Sequence, residues 1–380
     1  MRIYERPAER SLPAPSPAGV DVTVGGHDQD TRDIVVVGQT FAASRTPQRV
    51  AAMKALGHSV RTIPTKPEGS DYETPPSLAE RLRYRVRMPA DPAGVNEAIP
   101  AEAASADILW LETADMIRAA TLRRLRNINP GVLIVFYSED DMMNSKNRTI
   151  WLQQSMRLAD LWATTKSLNV RPEERRILNV PNMLFVNNSY DPGIHRPVDL
   201  EQGDAEAYGA PVSFIGTYEA PRARSMLHLA RGGLRVRIWG NGWEKLREGH
   251  PNLTVEGRPA YNDEFAKVVA ASPVNLCFLR QANRDLQTCR SIELPACGAF
   301  MVHERNDEIG ALLRDSQDAV YFSDDDELLA VCRHWLDRAD DRNILAANAR
   351  RRVEELQLSH RDNITRILDA LGGTRMESGG

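Results

Sequence analysis

The sequence predicts an α/β fold made of two domains, each a parallel sheet with helices on its faces, set across a cleft. Three observations carry that expectation. Short apolar, β-branched runs end in Gly or a polar residue, as strands buried on both faces do. Helix-length segments separate these runs, and that alternation builds doubly wound sheets. The series breaks off in a polar stretch containing Pro and Gly near 191–209 and then starts again. A length of 380 residues suits two to three domains of roughly 150 residues each.

Order begins at Asp33-Ile34-Val35-Val36-Val37-Gly38, the first strand, after a Pro-rich stretch over 1–32 that reads as a disordered arm. A helix over 46–56 and the Gly57-His58 break lead to a second strand at 59–63. Strands follow at 107–111, 132–137, 161–164 and 183–186, with an amphipathic helix over 114–126. Residues 64–100, rich in Pro and Arg, admit a helix over 78–87 and little else. The segment Asp191-Pro192-Gly193-Ile194-His195-Arg196-Pro197 and the polar residues after it read as a hinge. The second series runs through strands at 212–216, 234–240, 274–279 and 299–303, with helices at 221–231, 261–271 and from 291. Helices over 326–336, 342–356 and 361–371 close the chain. The division expected is 33–197 for the first domain, 198–211 for a linker and 212–358 for the second domain. A terminal helix over 359–372 packs back on the first domain, and 373–380 form a disordered tail.

Composition prunes the function classes. Lys+Arg 48 against Asp+Glu 52 leaves a net charge of −4, so no global basic field draws in nucleic acid or a membrane surface. The apolar runs, such as 34–37 and 132–136, fall far short of the ~20 residues of a membrane helix. Four cysteines without a C-x-x-C pair argue for reduced thiols rather than disulfides or zinc, and the N-terminus lacks the apolar core of a signal peptide. A cytoplasmic location is expected. Only six of the 48 basic residues are Lys, a skew that fits a GC-rich bacterial genome.

Motif absences prune further. Val37-Gly38-Gln39-Thr40-Phe41-Ala42 carries no G-x-G-x-x-G, which argues against a nicotinamide oxidoreductase, and no P-loop, G-x-S-x-G or H-E-x-x-H occurs. Asp28-Gln29-Asp30 and Asp324-Asp325-Asp326 spell D-x-D, but the first lies in the arm and the second opens a helix, where acidic residues suit the macrodipole.

The informative stretch is 280–298, just beyond a strand's carboxyl end, where open α/β sheets bind ligands. Arg280, Arg284 and Arg290 lie beside a helix start, and guanidiniums with helix N–H groups together hold phosphates. Glu293, in the first turn, could accept two sugar hydroxyls. Composition alone favours a solvated charged loop over such a site.

Asp285-x7-Glu293 followed by Pro295-Ala296-Cys297-Gly298 resembles the acidic-x7-Glu helix of GT-B glycosyltransferases, nearest to the CgeB-like type. Val212-Ser213-Phe214-Ile215-Gly216-Thr217-Tyr218-Glu219-x-x-Arg222, Trp239-Gly240-Asn241-Gly242-Trp243, Tyr137-Ser138-Glu139-Asp140-Asp141 and Ala163-Thr164-Thr165-Lys166 are similar to other segments of that family. The resemblance implies two Rossmann-like domains and transfer of a sugar from a nucleotide diphosphate, without a metal or other cofactor. A UDP-sugar is favoured over a GDP- or dTDP-sugar. It implies that Glu293 binds the ribose, Asp285 faces the donor sugar, and the backbone near Thr288, Cys289 and Arg290 meets the diphosphate. Gly216 and Arg222 would lie on the diphosphate's other side, with the base against Arg258-Pro259-Ala260. A catalytic base has to come from the first domain, and Asp140 and Asp141 both qualify by their place after a buried strand. The acceptor would be a glycan, a protein or a small molecule, not nucleic acid. A protein that binds nucleotide sugars on this fold without transferring them is the alternative, because the first acidic position is Asp.

Overall fold

Twelve strands lie in two six-stranded sheets in the computed structural model, which describes residues 31–41, 44–70, 77–112, 114–247 and 249–377 (side chains to 373). The arm expected over 1–32 lies outside these residues except for Thr31 and Arg32, and Asp28-Gln29-Asp30 lies outside entirely.

The first sheet holds β1 (Asp33–Gly38), β2 (Ser59–Pro64), β3 (Ile108–Glu112), β4 (Leu133–Ser138), β5 (Leu161–Thr164) and β6 (Met183–Phe185), in the order β2-β1-β3-β4-β5-β6. The second holds β7 (Val212–Ile215), β8 (Val236–Trp239), β9 (Leu253–Val255), β10 (Val274–Cys277), β11 (Met301–Glu304) and β12 (Val320–Phe322), in the order β12-β11-β10-β7-β8-β9. Every pairing is parallel. The α/β architecture of two parallel sheets therefore stands as expected.

Both faces of β1 are buried because its odd and even residues serve different cores. Val35 and Val37 pack with Leu109, Phe136 and the helix Val95–Glu102. Ile34 and Val36 pack with Met53, Trp110 and, from the chain's far end, Ile364, Ile367 and Leu371. The last helix, His360–Glu377, thus covers one face of the first sheet, and it runs into the stretch expected as a tail.

Some elements differ from expectation. The helix expected over 114–126 spans Ala119–Ile128, because Met116 and Ile117 are buried in a preceding turn and Arg118 is extended. Most of the hinge is exposed as expected, but His195 within it is buried, Tyr190 just before it bridges to Ser359, and a short helix, Asp204–Tyr208, follows. The three-residue strands β9 and β12 carry too few residues for a visible alternation. Asp324 caps the helix Asp325–Leu336, accepting from the Glu327 N–H at 2.8 Å.

Candidate functional site

Each sheet reverses its winding at one place, between β1 and β3 in the first and between β7 and β10 in the second. Ligands bind outside strand carboxyl ends at such switch points. The two points are brought together: Arg45, just past β1, donates to Glu293 Oε1 at 3.1 Å on the helix Cys289–Ala296, which follows β10.

A buried relay fixes the start of that helix. The Thr288 N–H donates to Ser291 Oγ at 3.0 Å, and Ser291 Oγ lies 2.8 Å from His303 Nε2 on β11. His303 Nδ1 lies 2.6 Å from the Glu304 carbonyl. An N–H at Nδ1 leaves Nε2 to accept the Ser291 hydroxyl, and burial pushes His303 down to about 4, which keeps the ring neutral.

Between the sheets lies a cavity of about 480 Å³, within the range of small-molecule sites. Arg45 and Gln48 line it from the first half, His195 from the hinge, and Thr217, Tyr261, Arg290 and Glu293 from the second half. Glu293 is buried, and Arg290 contacts its second oxygen. Burial alone would raise this carboxyl, but the Arg290 and Arg45 guanidiniums hold it well below the ordinary range. His195 Nε2 stands 3.6 Å from the same carboxylate, and its Nδ1 accepts the Asp191 N–H at 3.0 Å. The group is an ionised carboxylate flanked by guanidiniums, able to accept from hydroxyls while the guanidiniums meet anionic oxygens.

The turn at the cavity's edge depends on two glycines. Gly240 has φ +150°, and a Cβ there would run into the Gly216 carbonyl, which also accepts the Trp243 Nε1–H at 2.8 Å. Trp243 is buried in the second core, so its ring locks the Gly216 turn from behind.

The predicted residues separate into groups. Arg290 and Glu293 line the 480 Å³ cavity, and Ala260, next to Pro259, does too. Thr288 and Cys289 open the helix behind Glu293, and burial pushes the Cys289 thiol up to about 12. Arg222 points elsewhere: it donates to the carbonyls of Thr217 at 3.0 Å and Phe278 at 3.3 Å, bracing the loops from below. Arg258 pairs with Glu264 at 2.7 Å on the surface. Arg284 is a clasp between halves, its guanidinium 2.6 Å from Asp141 and 2.7 Å from Glu174. Asp285 receives Lys166 Nζ, from the first half, at 2.5 Å, with both side chains buried.

Asp140 and Asp141 part company. Asp141 is buried and takes two bonds from Arg284 and one from Asn169 at 2.7 Å. Asp140 lines a second cavity, about 260 Å³, over the carboxyl ends of β3 and β4 with Glu112, Tyr137 and Glu139. Partial desolvation raises the Asp140 carboxyl against the pull of Arg280, and Glu139 adds to the rise, with about half of the side chain, 53%, still open to solvent. Arg49 ties Glu112, at 2.6 Å, to Glu139, at 2.9 Å, and Glu139 lies 3.8 Å from Arg45. One chain of charges thus links the two cavities.

Sequence reasoning passed over Arg45, Gln48, His195 and Tyr261. Arg45 follows β1 and directly precedes a helix, so the strand-end logic applied to 280–298 would have reached it. His195 was hidden by the Pro and Gly around it, which read as a linker. Among the described residues, no group of three or more His, Cys, Asp or Glu could hold a metal ion, and no helix is long and apolar enough to cross a membrane.

Residues 222–369 match the glycosyl transferase-like family. No curated protein matches the chain by sequence. Three solved structures are similar throughout. Sucrose-phosphate synthase from Thermosynechococcus elongatus is 13% identical with a TM-score of 0.63, covering 90% of this chain and 99% of its own. HepE of Anabaena in complex with UDP and glucose is 12% identical with a TM-score of 0.59, covering 89% and 100%. A putative UDP-N-acetylglucosamine 2-epimerase from Listeria monocytogenes is 14% identical with a TM-score of 0.56, covering 91% and 97%. These likenesses fix the fold, and a fold carries more than one chemistry. The chain has the two-sheet GT-B fold, and its second half is similar to the glycosyl transferase-like family.

Proposed function

We propose that this protein is a glycosyltransferase of the CgeB-like type, moving a sugar from a UDP-sugar, before a GDP- or dTDP-sugar, to an acceptor hydroxyl. The observation that carries the reading is Glu293 in the 480 Å³ cavity, ionised between Arg290 and Arg45. The ribose hydroxyls take the place of Arg45 on Glu293, and the base lies toward Ala260 and Tyr261. The diphosphate lies between the helix start at Cys289 and the Arg290 and Arg45 guanidiniums, a cationic and dipolar setting that needs no metal. The acceptor sits in the 260 Å³ cavity. Its oxygen bonds to the sugar's anomeric carbon, the bond from that carbon to the diphosphate breaks, and Asp140 takes the hydroxyl proton. The nucleoside diphosphate leaves with the bonding pair.

Support for this chemistry comes from the family match over 222–369 and from a similar protein, HepE of Anabaena, whose structure holds UDP and glucose. Thermal shift with UDP-, GDP-, dTDP- and ADP-sugars, on the wild type and on Glu293→Ala, tests it. A ligand at 100 times its Kd stabilises by about 2.7 kcal/mol. A shift with one nucleotide family in the wild type alone is expected; no shift with any donor overturns the reading.

One observation favours binding without transfer: Asp285, the residue expected at the donor sugar, is held by Lys166. Release of nucleoside diphosphate in the presence of acceptor distinguishes the two readings.

A further inference from the structure

The helix Leu78–Arg85 has no buried residue among the described ones. A helix of eight residues does not hold itself in water, because packing of an apolar face supplies most helical stability. Ser77 and Glu80 form its capping box, Tyr84 donates to Asp115, and the chain after it is held where Arg87 donates to the Arg148 carbonyl.

What it displays is apolar and basic. Leu78, Leu82 and Val86, spaced by four, share one side of the helix and are 82%, 64% and 53% exposed. Arg81 and Arg85 flank that side, and Arg83 lies around from it. Among the described residues, five of the nine exposed large hydrophobic side chains fall between Leu78 and Met88. Glu80, the one acidic residue of the helix, is turned back onto the Ser77 N–H at 2.8 Å. The chain's net charge of −4 conceals this local concentration of positive charge.

We propose that the helix Leu78–Arg85 seats the protein on an anionic lipid surface. Leucines on one side with arginines at their flanks fit the boundary between acyl chains and headgroups: the apolar side chains enter, and the guanidiniums meet the phosphates. An acidic protein surface would match the arginines but leave Leu78 and Leu82 uncovered, and a second copy of the helix would bring arginine against arginine. Tyr84 also lines the 260 Å³ cavity, so the seated helix places the lipid surface at that cavity's edge. The proposal stands on the helix alone and does not require that the protein transfer sugars.

Co-sedimentation of the full chain with phosphatidylglycerol–phosphatidylcholine vesicles and with phosphatidylcholine vesicles tests it. Binding to the anionic vesicles alone is expected, weakening as salt rises from about 0.05 to about 0.5 M. The double variants Leu78→Ser/Leu82→Ser and Arg83→Glu/Arg85→Glu should each bind at least tenfold more weakly. Because none of the four residues is buried, the melting temperature should not move. No binding, equal binding to both vesicle types, or binding that survives either double variant overturns the proposal. So does a dimer seen by size-exclusion chromatography that Leu78→Ser/Leu82→Ser dissolves, since the side would then be covered by a second copy.

Discussion

Lys166, just after β5, sets its ammonium 2.5 Å from the Asp285 carboxylate, and the two buried side chains join the halves of the molecule across the cleft. Removing one partner of a buried pair strands the other charge, at a cost of about 3–5 kcal/mol, whereas removing both is far milder. Lys166→Met should lower the melting temperature sharply, and Lys166→Met/Asp285→Leu should recover most of the loss. A double variant no more stable than the single would contradict the coupling.

Glu293 is expected to carry the ribose. Hydrogen bonds to a charged group contribute about 1.5–3 kcal/mol, so Glu293→Gln should weaken UDP binding by roughly 10- to 100-fold. Isothermal titration with UDP measures this directly. Unchanged affinity would place the nucleotide elsewhere.

Asp140 and Asp141 should behave oppositely. Asp140→Asn should leave UDP binding intact while turnover falls by about 10²–10⁴, the usual worth of a positioned base. The acidic limb of the wild-type pH–rate profile should lie above the ordinary carboxylate range, because Asp140 must lose a proton that its surroundings help it keep. Asp141→Asn should instead lower the melting temperature, since it breaks the Arg284 clasp.

His303 makes stability depend on acid. The unfolded chain binds a proton as pH falls below 6.5, whereas the folded chain refuses it until about 4. Stability is therefore full above 6.5 and declines toward 4, by up to about 3 kcal/mol. His303→Gln should flatten that part of the curve in urea titrations run across the interval, relative to the wild type.

Gly240→Ala tests the turn behind the cavity. With φ at +150° and the Gly216 carbonyl in the way, a methyl group costs at least the 1–3 kcal/mol or so typical of strained backbone. Both melting temperature and UDP affinity should fall.

How far the sequence could be read follows from where the information sits. The runs Ile34–Val37 and Val132–Phe136 announce themselves because burial on both faces demands unbroken apolar residues. A three-residue strand such as β12, recognisable only by its register against β11, has no such signal. Glu293 and Arg290 were legible because a strand end, a helix start and a charge cluster coincide within one stretch. Arg45 lies 248 residues from Glu293, and Lys166 lies 119 from Asp285. Their roles exist only once the two switch points face each other. The choice between Asp140 and Asp141 rested on the same distant fact, the reach of Arg284 across the cleft.

The helix His360–Glu377 completes the core that contains Ile34 and Val36, which has a consequence for how the chain is made. A ribosome releases the first sheet long before the residues that seal it, and at about 5–20 residues per second the wait is tens of seconds. The second sheet's core, drawn from residues 212–346, closes first, and the first sheet carries an open apolar face until Ile364, Ile367 and Leu371 have emerged. A nascent chain stalled before residue 360 would offer that face to chaperones, and a gene fragment ending at the hinge would yield a protein that aggregates.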